Sequence, residues 1–100
     1  MSQRLFAAFV HRAAAWDPSR PAHEQAGFSD HAKFVAGLES SGFVAMAGLM
    51  QPSNDVLFVF RADSEDAVRR RMAEDPWQKD GHARLGRVEE VNFRIGAPGA

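Results

Sequence analysis

His31 and Asp75 have the residue types and the spacing for chemistry. His31 precedes Phe34, Val35 and Leu38 by three, four and seven residues, so it continues the inward stripe of a helix. Asp75 follows Met72 by three and Val68 by seven, and it continues the stripe of a second helix. Both polar groups then point inward at one edge of the fold. An imidazole beside a carboxylate moves protons well, because the carboxylate fixes the tautomer and orientation of the ring. On this reading Asp75 ends its helix, where an anion opposes the macrodipole by about 0.3–1 kcal/mol. A partly buried carboxylate there needs a partner. Spacing alone leaves two plainer arrangements open: a structural hydrogen bond tying two helices together, or two solvated residues that never meet.

Other candidates cluster at the same edge. Trp16 and Trp77 are placed to wall an apolar pocket, and Arg20 to hold a substrate carboxylate. The connection from His11 to Phe28 is long for a compact domain and suits a lid. His11, His23, His31 and His82 show no tight metal-ligand spacing, so no metal site is expected. The sequence has no glycine-rich phosphate loop and no Gly-x-Ser-x-Gly elbow. Arg69, Arg70 and Arg71 read as a solvated helix face, with no aromatic ladder to support nucleic-acid binding.

These residues need elements to position them. Leu5 to Val10, Phe43 to Met50, Val56 to Phe60 and Val88 to Ile95 are short runs rich in apolar residues, and each reads as a strand. Pro52, Ser53, Asn54 and Asp55 are turn residues that make the second and third a hairpin. The first helix is expected to start at Ser29 or Asp30 as cap and to end at Gly42. The second starts at Ser64, with Glu65 and Asp66 favouring its positive end, and stops before Pro76. The order β-α-β-β-α-β predicts an α+β ferredoxin-like plait: a four-stranded antiparallel sheet with two helices on one face. Gly96 to Ala100 reads as a frayed tail.

Composition sets the limits. One hundred residues make one domain, 1–100, with an ordered part of about 3–96. Twelve basic and thirteen acidic residues nearly cancel, so no pull toward nucleic acid or anionic membrane is expected. The first apolar run is too short for a signal peptide and no run approaches a membrane span, which predicts a cytoplasmic protein. No cysteine means no disulfide and no thiolate nucleophile. The first three strands are apolar at nearly every position, whereas a sheet with one wet face should alternate. A second copy packed sheet against sheet is the simplest cover, so a homodimer is expected.

The stretch WDPSRP…EQ.GF..HA.FV..L...GFV, followed by DSED.VR.R.AEDPW, resembles the YCII-related family over most of the chain, from Arg4 to about Ile95. The resemblance rests on a histidine eleven residues before Gly42 and on Asp75-Pro76-Trp77. It implies a dimeric α+β barrel similar in fold to muconolactone isomerases, with a His–Asp active site at His31 and Asp75. One departure is Gly48-Leu49-Met50, where the family commonly reads Gly-Pro-Leu, so the substrate class does not carry over. The expected function is proton transfer of the isomerase or lyase type on a small organic acid or ring metabolite, without a cofactor. His31 would act as acid or base, Asp75 as its orienter, and Trp16, Arg20 and Trp77 as pocket walls. The alternative is a non-catalytic, small-molecule-binding accessory dimer that uses the same pocket.

Overall fold

A computed structural model of the chain describes residues 4–98. The elements in order are β1 (Arg4–Arg12), a 3-10 turn (Ala22–Glu24), α1 (Phe28–Ser40), β2 (Val44–Leu49), β3 (Val56–Ala62), α2 (Glu65–Met72), α3 (Pro76–Asp80) and β4 (Ala83–Glu90). The four strands form one open antiparallel sheet in the order β2-β3-β1-β4. That α+β arrangement is compatible with a ferredoxin-like plait, with a third short helix added. Among the described residues no helix is long and apolar enough to cross a membrane.

Register explains which face is buried. Phe6 pairs with Phe60, Ala8 with Phe58 and Val10 with Val56 across β1 and β3, so these side chains share one face. Phe6, Ala8, Phe58 and Phe60 form a single buried cluster with Leu38 of α1, Val68 and Met72 of α2, and Trp77 of α3. All three helices therefore cover that face. The opposite face carries Leu5, Ala7 and Phe9 of β1 against Arg61, Val59 and Leu57 of β3. It is apolar over most of its middle and has no helix of its own.

Several boundaries differ from expectation. The last strand is Ala83–Glu90 rather than Val88 to Ile95. Arg12, at the end of β1, pairs with Ala83, so the chain must join the sheet as soon as it leaves α3. The Val91 N–H still donates to the Leu5 carbonyl at 2.9 Å, but Ile95 is 90% exposed, and the alternation of Val91, Phe93 and Ile95 builds no strand. Gly86, inside β4, is there for space: a Cβ would stand 2.5 Å from Nε2 of His11. Of the tail Gly96 to Ala100, residues 99 and 100 lie outside the described residues, as does residue 3.

The helices also start and stop differently. α1 begins at Phe28 behind a left-handed Gly27 with no side-chain cap, so Ser29 and Asp30 lie in its first turn. α2 is capped as expected, the Ser64 hydroxyl accepting from the Ala67 N–H at 3.0 Å. It ends at Met72, and Pro76 opens α3 instead of closing α2. Proline suits the first position of a helix, where its missing N–H costs nothing. Of the three arginines only Arg70 stands fully in solvent; Arg69 donates to the Gly86 carbonyl of β4 at 3.3 Å, and the Arg71 guanidinium lies over Phe34 and Phe43, 5.6 and 5.9 Å from the ring centres.

Candidate functional site

Asp75 ends up in the opposite electrostatic setting from the one its spacing suggested. It is the N-cap of α3, and its Oδ1 accepts the Trp77 N–H at 2.9 Å. The carboxylate therefore sits at the positive end of a short helix, not against the negative end of a longer one. It is buried, and its second partner is His31. The His31 Nδ1 lies 2.9 Å from Asp75 Oδ1 and 3.1 Å from Oδ2.

Two elements bring this pair together. His31 occupies the first turns of α1, where its N–H donates to the Gly27 carbonyl at 3.1 Å. Its ring stacks on Trp77, with centres 3.8 Å apart and planes within 11°. Trp77 is fully buried, and its indole N–H donates to the Ala26 carbonyl at 2.9 Å. One tryptophan thus sets the plane of the imidazole and ties the entry of α1 to α3. A carboxylate accepts and does not donate, so Nδ1 carries the hydrogen. In the neutral ring that leaves the lone pair on Nε2, which has no hydrogen-bond partner among the described residues.

The pair opens onto a cavity of about 210 Å³. Its walls are largely apolar: Val10 and Phe58 from the sheet, Phe28 and Val35 from α1, Met72 and Trp77 from beyond. The titratable groups among the described lining residues are His31, Asp75 and Arg12. The side chain of His31 is 19% exposed and that of Asp75 is 3% exposed, so the imidazole meets solvent while the carboxylate stays behind it.

The structure separates the remaining candidates. Trp77 lines the cavity. Trp16 stands one layer back, edge-on to Trp77 with centres 5.4 Å apart. Arg20 does not line the cavity: it is exposed, with Nε 3.5 Å from Asp17 and Nη1 3.8 Å from Glu24. The His11–Phe28 connection is held by a residue that the sequence did not single out. The buried Gln25 amide donates to the carbonyls of Asp17 and Arg20 at 2.7 and 2.9 Å and accepts the Asp17 N–H at 3.0 Å. Nothing in its spacing marks Gln25, because a loop has no period.

Arg12 was also missed, although its signal is present. It follows Phe6, Ala8 and Val10 at alternate positions, so it continues the core-facing stripe of β1 just as His31 and Asp75 continue theirs. Two further histidines pair with aspartates, His11 with Asp55 at 3.0 Å and His82 with Asp80 at 2.8 Å; neither lines the cavity. Among the described residues no group of three His, Cys, Asp or Glu side chains is arranged to hold a metal ion. No family model matches the chain, and no curated protein matches it.

Proposed function

We propose that this protein carries out proton transfer, an isomerisation or an elimination, on a small organic molecule held in the His31 cavity. The observation that carries the proposal is the anchored imidazole. Nδ1 is fixed on Asp75 at 2.9 and 3.1 Å, and Nε2 has no hydrogen-bond partner among the described residues. His31 Nε2 takes a proton from a substrate carbon. In an isomerisation the proton returns at another carbon as the double bond moves. In an elimination it stays on Nε2 while the leaving group departs with its bonding electron pair. Asp75 stabilises the imidazolium that forms and remains ionised. The resemblance to the YCII-related family supports the same assignment, and no cofactor is invoked.

The proposed working unit is a homodimer closed sheet to sheet as an α+β barrel. Its support is the helix-free face, where Leu5, Ala7, Phe9, Leu57 and Val59 stand together. An antiparallel sheet with that face in water would alternate with polar residues. A second reading, a binding domain whose His–Asp pair is structural, draws support from the cap that Asp75 already supplies to α3.

Deuterium exchange separates the two. In D2O, the wild-type protein is expected to wash deuterium into carbon positions of short-chain unsaturated or single-ring acids, followed by proton NMR. His31→Gln should slow that exchange about 10²–10⁴-fold. Exchange that His31→Gln leaves unchanged, or acids that bind without exchanging, would refute the proton-transfer reading.

A further inference from the structure

Arg12 is the charge in the cavity that the fold leaves without a counterpart. Its Nε is buried with no hydrogen-bond partner, and no other hydrogen bond or ion pair of its guanidinium exists among the described residues. Surface arginines show the contrast. Arg4 meets Glu90 at 2.8 Å, Arg69 meets Glu65 at 2.8 Å and Arg70 meets Asp66 at 3.1 Å. Those pairs form where water would serve as well, yet the arginine turned toward the cavity has none. The anion electrostatically coupled to it, Asp55, is already engaged by His11 at 3.0 Å. Burial pulls the Arg12 guanidinium below its ordinary pKa, against the opposing charge of Asp55.

The guanidinium is also held in a definite plane. Its central carbon lies 4.0 Å from the centre of the Trp16 ring. Stacking covers a flat face and leaves the N–H edge, which is the edge that grips a planar oxyanion through two parallel hydrogen bonds. A half-buried cation with an unused donor edge, set in a largely apolar cavity, has the makings of an anion receptor.

We propose that the ligand of this cavity is a small monocarboxylate with an apolar body, its carboxylate gripped by Arg12 and its body lying against the Trp77 and His31 wall. This names the substrate class for the proton-transfer reading and rests on that reading for the chemistry that follows binding. One guanidinium matches one carboxylate. A second anionic group would find no cation among the described lining residues and would face Asp75. Size agrees as well: a cavity of about 150 Å³ accommodates benzene, so about 210 Å³ holds a single ring or a short chain with its acid group.

The test titrates the intact protein with benzoate, butyrate, benzamide and phenyl phosphate, reading tryptophan fluorescence, since Trp16 underlies Arg12 and Trp77 lines the cavity. At least one of the two carboxylates should bind saturably, with benzoate at least about tenfold tighter than neutral benzamide. Arg12→Gln should weaken carboxylate binding about 10–100-fold, the loss of a charged hydrogen-bonded pair, and leave benzamide unchanged. Arg12→Lys, which keeps the charge and loses the fork, should fall between. Equal binding of benzoate and benzamide, carboxylate binding that survives Arg12→Gln, tighter binding of phenyl phosphate, or no carboxylate binding would each overturn the proposal. Arg12-dependent binding without deuterium exchange would end the proton-transfer reading and leave the receptor standing. Exchange that is independent of Arg12 would do the reverse.

Discussion

Removing the Asp75 carboxylate should expose its two separate jobs. In Asp75→Ala, α3 loses its cap, worth about 1 kcal/mol. His31 loses a hydrogen bond to a buried charged acceptor, worth about 1.5–3 kcal/mol. The two losses together come to about 2.5–4 kcal/mol. At about 4–8 °C per kcal/mol for a domain of this size, the thermal midpoint should drop by roughly 10 °C or more. Asp75→Asn keeps an oxygen that can accept the Trp77 N–H, so it should retain the cap and be milder by about 1 kcal/mol. Urea unfolding followed by far-UV circular dichroism measures all three proteins, and combining each change with His31→Ala completes a double-mutant cycle. Coupling between residues 31 and 75 should be about 1–2 kcal/mol, within the range found for residues in direct contact. An Asp75→Ala cost below about 1 kcal/mol, or identical costs for the Ala and Asn variants, would refute the division into cap and anchor.

Other consequences follow from neighbouring parts of the fold. Gly86→Ala should destabilise by about 1–3 kcal/mol, because the new Cβ meets His11 Nε2 at 2.5 Å and the Phe9 carbonyl at 3.3 Å; denaturant titration should show part of that cost relieved in a His11→Ala background. Gln25→Ala should loosen the long connection at a cost of about 1–3 kcal/mol, seen as faster chymotrypsin cleavage after the half-buried Trp16; an unchanged cleavage rate would contradict the role given to Gln25. Light scattering should give a mass twice the 11.0 kDa of the chain at micromolar concentration, and Leu57→Glu on the open sheet face should return it to that of a single chain. A monomeric wild type would defeat the sheet-to-sheet dimer.

Legibility in the sequence followed periodicity. The strand cores, the buried stripe of Val68 and Met72, and the Ser64 cap were all readable because each repeats with its element or carries its own turn chemistry. The apposition of His31 and Asp75 followed from the same stripes, yet for a partly mistaken reason. In the sequence Asp75-Pro76 reads as a stop, whereas the proline begins another helix and the aspartate caps it. The last strand was misplaced because Arg84, Gly86 and Arg87 dilute its pattern. Gly86 answers to the His11 ring across the sheet, a contact that no local pattern encodes. Arg20 looked like the ligand-binding cation because it lies on the long loop, but a loop position says nothing about where a side chain points. Arg12 was legible by alternation from Val10, and its lack of a partner became visible only in three dimensions.

The tautomer of His31 is the most direct test of the central claim that Asp75 anchors Nδ1 and frees Nε2. Long-range nitrogen–proton correlation spectra of histidine-labelled protein distinguish the two ring nitrogens of the neutral form. The hydrogen should be on Nδ1 with a bare Nε2, and Asp75→Asn, whose amide can donate to Nδ1, should shift the hydrogen toward Nε2. A wild-type His31 carrying its hydrogen on Nε2 would contradict the account.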